Sequence, residues 1–291
     1  MSEYIIRTVG LTKRYGEKAA VKQLNLTIRK GEVFGLLGPN GAGKTTTTLM
    51  LLGLTDPTEG FATIEGRDCT RDPIGVKRVV GYLPDNVGFY GDMTGRENLY
   101  FTGRLNGLPE EVIQERTEML LKRVGMTEAA DMKTKTYSRG MRQRLGIADV
   151  LLKDPKVIIM DEPTLGIDPQ GMRDLLSLIR ELSEKDGRTI LLSSHQLYQV
   201  QQICDRVGIF VSGSLIACGT IAELGKQMER EGKYVLELAA EPDNEALSRL
   251  LSGIEGVDGI EREGESFLIH SRMDLRRRVT MELTANGYTL L

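Results

Sequence analysis

Apolar positions change their period several times along this chain, and each change marks a different kind of element. Between residues 4 and 36 they alternate, and in VKQLNLTIRKGE the residues Leu24, Leu26 and Ile28 recur at every second position, the spacing of a half-buried strand. GEVFGLLG, residues 31–38, is a short apolar run bounded by glycines, which predicts a strand buried on both faces as in a parallel sheet, and TTTTLMLLG after it begins a helix. TEGFATIEG, residues 58–66, reads as a strand between glycine turns. From Glu97 to about Ala148 the period becomes helical. In EEVIQERTEMLLKRVG the residues Val112, Ile113, Met119, Leu120 and Val124 fall near helical spacing before Gly125 stops it. VIIM, residues 157–160, returns to a buried strand. PQGMRDLLSLIRELSEK and QLYQVQQIC then alternate as helices with the strands TILLS and RVGIFV, a rhythm that predicts parallel βαβ pairing.

Across residues 225–232 the chain turns charged, apolar residues thin out and the period resets. YVLELA is strand-like, NEALSRLLSG helical, VDGIERE and ESFLIHS are strands around EREGE, LRRRVTMELTANG is helical and YTLL a last strand. That order, β-α-β-β-α-β, is the split arrangement of ferredoxin-like domains. Two domains are therefore expected. Residues 1–225 form an α/β domain with a mixed or parallel sheet and a helical subdomain inserted at about 85–150, and residues 226–291 a small α+β ferredoxin-like domain. A domain of roughly 60 residues is marginal alone and feasible against a neighbour. It could sense a ligand, pair with its copy in a dimer, or brace an assembly. The basic run Arg276, Arg277, Arg278 is expected to be a solvated helix face.

Composition narrows the function classes. At 291 residues and 40% hydrophobic, the chain can bury one large core and a smaller one. A net charge of −3, with both signs interspersed, argues against a nucleic-acid footprint. The cysteines Cys69, Cys204 and Cys218 have no CxxC spacing and the only histidines are His195 and His270, so a zinc site or disulfide scaffold is not expected and a reducing compartment is. Apolar runs such as VIIM and TILL fall far short of the ~20 residues that span a bilayer, and MSEYIIRTVG is not a signal segment. Any link to a membrane is expected through a partner.

The chemistry begins at GPNGAGKT, residues 38–45. The spacing GxxxxGK[ST] is that of a phosphate-binding loop, and it asks for Gly38, Gly41 and Gly43 in conformations barred to a β-carbon, so that amides converge on an anion. The nucleotide contacts expected here are Gly38, Pro39, Asn40, Gly41, Ala42, Gly43, Lys44, Thr45 and Thr46. Lys44 reaches the outer phosphates, Thr45 offers its hydroxyl to Mg²⁺, and the positive end of the following helix faces the same anion. VIIMDEP, residues 157–163, delivers two acids at the end of a buried strand, where ligands bind in open α/β sheets. Asp161 is expected to hold the Mg²⁺ shell through water and Glu162 to polarise an attacking water. The competing view is of two acids capping a strand at the surface.

Further segments carry a family resemblance. Tyr15 lies in KRYG, Asp85 ends GYLPD, YSRGMRQRL spans residues 137–145, LGID spans 165–168, and His195 ends SSH. In this order, over residues 4–225, they resemble the ATP-binding subunit of an ATP-binding cassette (ABC) transporter, with the P-loop NTPase fold of the ABC ATPases. The resemblance makes Tyr15 the aromatic that stacks on adenine and His195 the switch histidine. Ser138 and Gly140 become the retained part of an LSGGQ signature, Asp168 part of the D-loop, and Asp85 the occupant of the Q-loop glutamine position and a metal contact. It implies ATP and Mg²⁺ as cofactors, and a homodimer that sandwiches two ATP between the phosphate loop of one copy and Ser138 to Gly140 of the other. Glu162 is then the base or water-positioner, and His195 holds the γ-phosphate and the water. It also implies a transmembrane permease subunit as partner and a cytoplasmic location, peripheral at the inner face of the cell membrane. Phe89 and Tyr90 stand in a glycine-rich loop where the family docks a permease helix, or pack into the helical subdomain. Three positions depart from the pattern: Asp85 replaces glutamine, and Arg139 and Met141 alter the signature. GYLPDN and TYSRGMRQRLG resemble the ABC-2 type exporters and also the ATPases that help mature nitrous-oxide reductase. A soluble ATP switch acting on ribosomes or DNA, and a kinase-like phosphotransferase, are the alternatives; the latter leaves the signature and SSH segments without a role.

Overall fold

A computed structural model describes residues 3–230, 234–264 and 266–290. In chain order the first part comprises β1 (Tyr4–Tyr15), β2 (Lys18–Arg29), β3 (Val33–Leu37), α1 (Lys44–Leu51), β4 (Glu59–Ile64), β5 (Arg67–Asp68), α2 (Pro73–Val79) and β6 (Val80–Leu83). Then follow α3 (Gly95–Leu105), α4 (Glu110–Arg123), α5 (Arg139–Leu152), β7 (Val157–Asp161), α6 (Pro169–Glu184), β8 (Thr189–Ser194), α7 (Leu197–Ile203), β9 (Arg206–Val211) and β10 (Ser214–Gly219). The second part holds α8 (Ile221–Arg230), β11 (Tyr234–Leu238), β12 (Ala240–Glu241), α9 (Glu245–Gly253), β13 (Val257–Glu263), β14 (Ser266–Ser271), α10 (Arg276–Ala285) and β15 (Thr289–Leu290).

The central sheet has the order β10-β9-β3-β8-β7-β6 and is parallel except for β10 at its edge. Its inner strands are largely apolar, β7 and β8 being buried at every position, because helices cover both faces of a parallel sheet. An antiparallel sheet, β2-β1-β4-β5, shares a core with it: Leu24 and Ile28 of β2, Phe34 of β3, Met50 of α1 and Ile159 of β7 belong to one buried cluster. The period-two reading of β2 is interrupted once. Val21 and Leu24 are both buried although three apart, since a bulge with Gln23 at φ +43 resets the alternation.

The stretch expected to be helical from 97 to 148 is three helices, α3, α4 and α5, packed on one another. Thr94 and Glu97 start α3 with a reciprocal capping box, the Glu97 N–H donating to the Thr94 hydroxyl at 3.1 Å and the Thr94 N–H to the Glu97 carboxylate at 2.7 Å. In α4 the buried residues are Ile113, Thr117, Leu120 and Leu121, a face in which Val112 is only half-buried and Met119 is exposed. The sequence pattern did not reveal α2, which Asp72 caps by accepting from Gly75 N–H, or the antiparallel strand β10.

By contacts the chain divides into units of 1–220 and 221–291. The boundary expected at 225 falls inside α8, where Leu224 is buried among charged neighbours and the apolar signal is thin. In the second unit β11-β14-β13 are antiparallel, and β12, one residue beyond β11, pairs antiparallel with β15. Leu247 and Leu251 of α9, Val279 and Leu283 of α10, and Phe267 and Ile269 of β14 form its core. Among the described residues no helix is long and apolar enough to cross a membrane.

Candidate functional site

β3 ends at Leu37 and α1 begins at Lys44, so the loop between them must reverse in a few residues. Gly41 at φ +77 and Gly43 at φ +109 lie in the left-handed region. Gly38 does not. It is required for a different reason, since a β-carbon there would come within 2.3 Å of the Phe210 carbonyl oxygen. Gly43 occupies the N-cap of α1 without a side-chain cap, leaving the first N–H groups of the helix for an anion. A β-carbon on Gly43 would lie 2.4 Å from the Ala20 carbonyl oxygen. Gly43→Ala is therefore expected to lower stability by about 2 kcal/mol and to weaken nucleotide binding. Thermal unfolding with and without ADP measures both, and an unchanged melting temperature would mean that the loop relaxes freely.

The two acids at the end of β7 have separate surroundings. Asp161 is buried, with Oδ2 accepting from the Thr45 hydroxyl at 3.1 Å and Oδ1 from the Ser193 hydroxyl of the neighbouring strand β8. Glu162, the next residue, has φ +46, a conformation unusual for a side chain with a β-carbon, and its N–H donates to the Ser193 carbonyl. The turn aims its carboxylate at His195, whose Nδ1 lies 3.0 Å from Oε2, and at Lys44, whose Nζ lies 3.6 Å from Oε1. Glu162 Oε1 is buried without a hydrogen-bond partner. Lys44, only 6% exposed, donates to the Gly38 and Pro39 carbonyls at 2.5 and 3.2 Å. Surface capping does not describe these acids.

Most of these groups open onto a cleft of about 1180 Å³, whereas Gly38 and Pro39, expected as nucleotide contacts, and Ser193 do not line it. Tyr15, Asn40, Gly41, Ala42, Gly43, Lys44, Thr45, Thr46, Asp85, Asp161, Glu162 and His195 line it. Tyr15 is 54% exposed, with Lys13 Nζ 5.1 Å from its ring centroid, an exposed aromatic of the kind that stacks on a planar base. Burial, with the charges of Asp161 and Asp85 adding to it, pushes the Tyr82 phenol up to about 12 and keeps it neutral beside the acids.

The donor set fits a hard divalent cation and a polyphosphate. Thr45 and Asp161 supply oxygen donors, and no cluster of three or more His, Cys, Asp or Glu residues converges among the described residues. Mg²⁺ suits such a sparse set because it takes one or two protein oxygens and completes its shell with phosphate and water. The Oε1 oxygen of Glu162, which lacks a hydrogen bond, belongs to a carboxylate that lines the same cleft as the loop ammonium of Lys44.

Residues 21–165 match the family model described as ABC transporter. The chain is 36% identical to the linearmycin resistance ATP-binding protein LnrL of Bacillus subtilis (strain 168), over 88% of this chain and 81% of that one. It belongs to the ABC transporter family. Among solved structures, cbiO1 of Clostridium perfringens, part of the ABC transporter complex cbiONQ, is 30% identical and superposes with a TM-score of 0.71 over 79% of this chain and 94% of its own. The dimeric structure of MJ0796, a bacterial ABC transporter cassette, is 26% identical with a TM-score of 0.67, covering 74% of this chain and 98% of that one. The chain is an ATP-binding subunit of an ABC transporter and an ATPase.

The segment expected to be the signature lies apart from the cleft. Ser138 caps α5, its hydroxyl accepting from Met141 N–H at 3.2 Å, and neither it nor Gly140 lines the cavity. Asp168 also lies outside the cavity. It caps α6 by accepting from Gly171 N–H at 3.0 Å, a bond that holds its carboxyl below the ordinary range. Gly140 and Ile167 are neighbours, so the segments expected as signature and D-loop meet within one chain. Asp85 borders the cleft with its Oδ1 paired to Arg139. Tyr90 is exposed and meets Phe101 edge-on, centroids 5.0 Å apart. Ser193 is the supporting residue that the motif reading passed over. It stands in SSH before the histidine, but its partner Asp161 is 32 positions away.

Proposed function

We propose that two copies of this ABC ATPase close on two ATP molecules and that the closure drives export through a separate transmembrane permease. What supports the reading is the division of labour in one chain: Glu162 meets both Lys44 and His195 at the cleft, while Ser138 and Gly140 lie outside it. A site so divided is completed by the helix N-terminus of another copy, with the Ser138 hydroxyl and Gly140 N–H facing the γ-phosphate. The likeness to the dimeric MJ0796 cassette agrees with a sandwich, and the likeness to a linearmycin resistance protein agrees with an ABC-2 type exporter.

In this reading Lys44 neutralises the outer phosphates and Tyr15 stacks on the adenine. Glu162 orients the attacking water and takes up its proton, held in register by His195, which also donates to the γ-phosphate. Thr45 and Asp161 are the residues available to Mg²⁺, which offsets phosphate charge when bound, while the Asp85 carboxylate is engaged by Arg139. Catalysis is positioning and charge neutralisation. The permease docks beside Phe89 and Tyr90, and through it the protein resides on the cytoplasmic face of the membrane.

The test is the solution mass of Glu162→Gln protein. A monomer that becomes a dimer with Mg-ATP, and not with Mg-ADP, is the expected result. A chain that stays monomeric both alone and with its permease would rule out the sandwich.

A further inference from the structure

Two of the residues that depart from the ABC pattern, Asp85 and Arg139, meet in space. Asp85 follows β6, Arg139 opens α5, and they are 54 residues apart, yet the guanidinium of Arg139 is paired with Oδ1 of Asp85. A second bond from α5 holds the same loop, Gln143 Nε2 donating to the Asp85 carbonyl at 3.0 Å. The Arg139 stem lies along the D-loop, since a β-carbon on Gly166 would come within 3.0 Å of Arg139 Cδ and 3.3 Å of its Nε. Arg139 therefore ties together the loop after β6, the signature and the loop after β7.

Folding stability does not account for this pair. Both side chains are nearly half-exposed, 43% for Arg139 and 45% for Asp85, and ion pairs so exposed contribute little. Arg139 is also placed against the helix dipole. The first turn of α5 contains Arg139 and Arg142 and no acid, where a negative charge is favoured. Asp85 supplies that negative charge from another element. It also borders a cleft whose loop and lysine attract polyphosphate, where an unpaired carboxylate would repel the same ligand.

We propose that Arg139 is a positioning residue for nucleotide binding: it holds the Asp85 carboxylate and cancels its charge at the rim of the cleft, so that the two departures act as one neutral unit. The inference rests on the cleft being the nucleotide site. Removing Arg139 alone exposes the phosphates to Asp85, while removing both charges restores neutrality.

The experiment is a double-mutant cycle read by equilibrium titration with ADP in EDTA, where no metal can take up the freed carboxylate. Arg139→Gly is expected to bind ADP roughly tenfold more weakly, and Arg139→Gly combined with Asp85→Gln to return to within about threefold of the wild type. The Arg139→Gly deficit shrinks as salt is raised from about 0.05 to about 0.5 M, because a half-exposed charge is screened. It also shrinks when Mg²⁺ is added, since the freed Asp85 then faces a cation. An Arg139→Gly protein with unchanged ADP affinity overturns the proposal. So does a double variant that remains as weak as Arg139→Gly, the pattern that misfolding or a direct phosphate contact from Arg139 would give. A wild-type chain that binds no ADP, with or without Mg²⁺, instead refutes the nucleotide site itself before the variants enter.

Discussion

Glu162→Gln is expected to lower ATP turnover by roughly 10²- to 10⁴-fold, the range for loss of a positioned general base, while nucleotide affinity stays within about threefold of the wild type. The side chain has little freedom to be replaced by a neighbour. Its backbone turns through φ +46 with the N–H tied to Ser193, and its carboxylate is 13% exposed between His195 and Lys44. Glutamine keeps that shape and loses the charge, so it can hold a water but not take its proton. Steady-state hydrolysis and ADP titration on the same preparation separate the two effects. Wild-type turnover in this variant would move the catalytic base elsewhere, and loss of affinity in equal measure would make Glu162 a binding residue.

Lys44→Ala is expected to weaken nucleotide binding by about 3 kcal/mol, roughly a hundredfold, as when one member of a buried charge pair is truncated. The ammonium is 6% exposed and shared among the Gly38 and Pro39 carbonyls and Glu162. Without it Glu162 is a largely buried carboxylate left with His195 as its side-chain partner, facing an incoming polyphosphate. Lys44→Arg should fail as well, since a planar fork cannot occupy the place of a compact ammonium. Equilibrium titration with Mg-ADP, alongside thermal unfolding of the unliganded proteins, reads the result. Near-normal affinity with an intact fold would mean that the loop amides and helix N-terminus suffice.

Much of the site was legible as residue types at fixed spacing. A glycine-rich loop after a buried strand and two acids at the end of another are local patterns, and the geometry brings Lys44, Thr45, Asp161, Glu162 and His195 onto one cleft. Gly38 shows the limit of such reasoning. Its sequence context suggested a left-handed backbone, whereas its lack of a β-carbon answers to Phe210 on a strand far along the chain. Ser193 went unassigned for a similar reason: a serine in an apolar strand carries no signal until the pairing of β7 with β8 sets Asp161 opposite it.

Most of the element order, the nucleotide loop and the reset of period just after residue 225 follow from periodicity and from conformations that particular residues permit, which act over a few neighbours. Partnerships are another matter. Thr45 meets Asp161 across 116 positions, His195 meets Glu162 across 33, and Arg139 cancels Asp85 across 54. Strand register and helix packing create these contacts, because a side chain finds a distant partner only after the sheet has been ordered. For that reason Asp85 and Arg139 read as two separate defects in a motif along the chain, and as one ion pair in the fold.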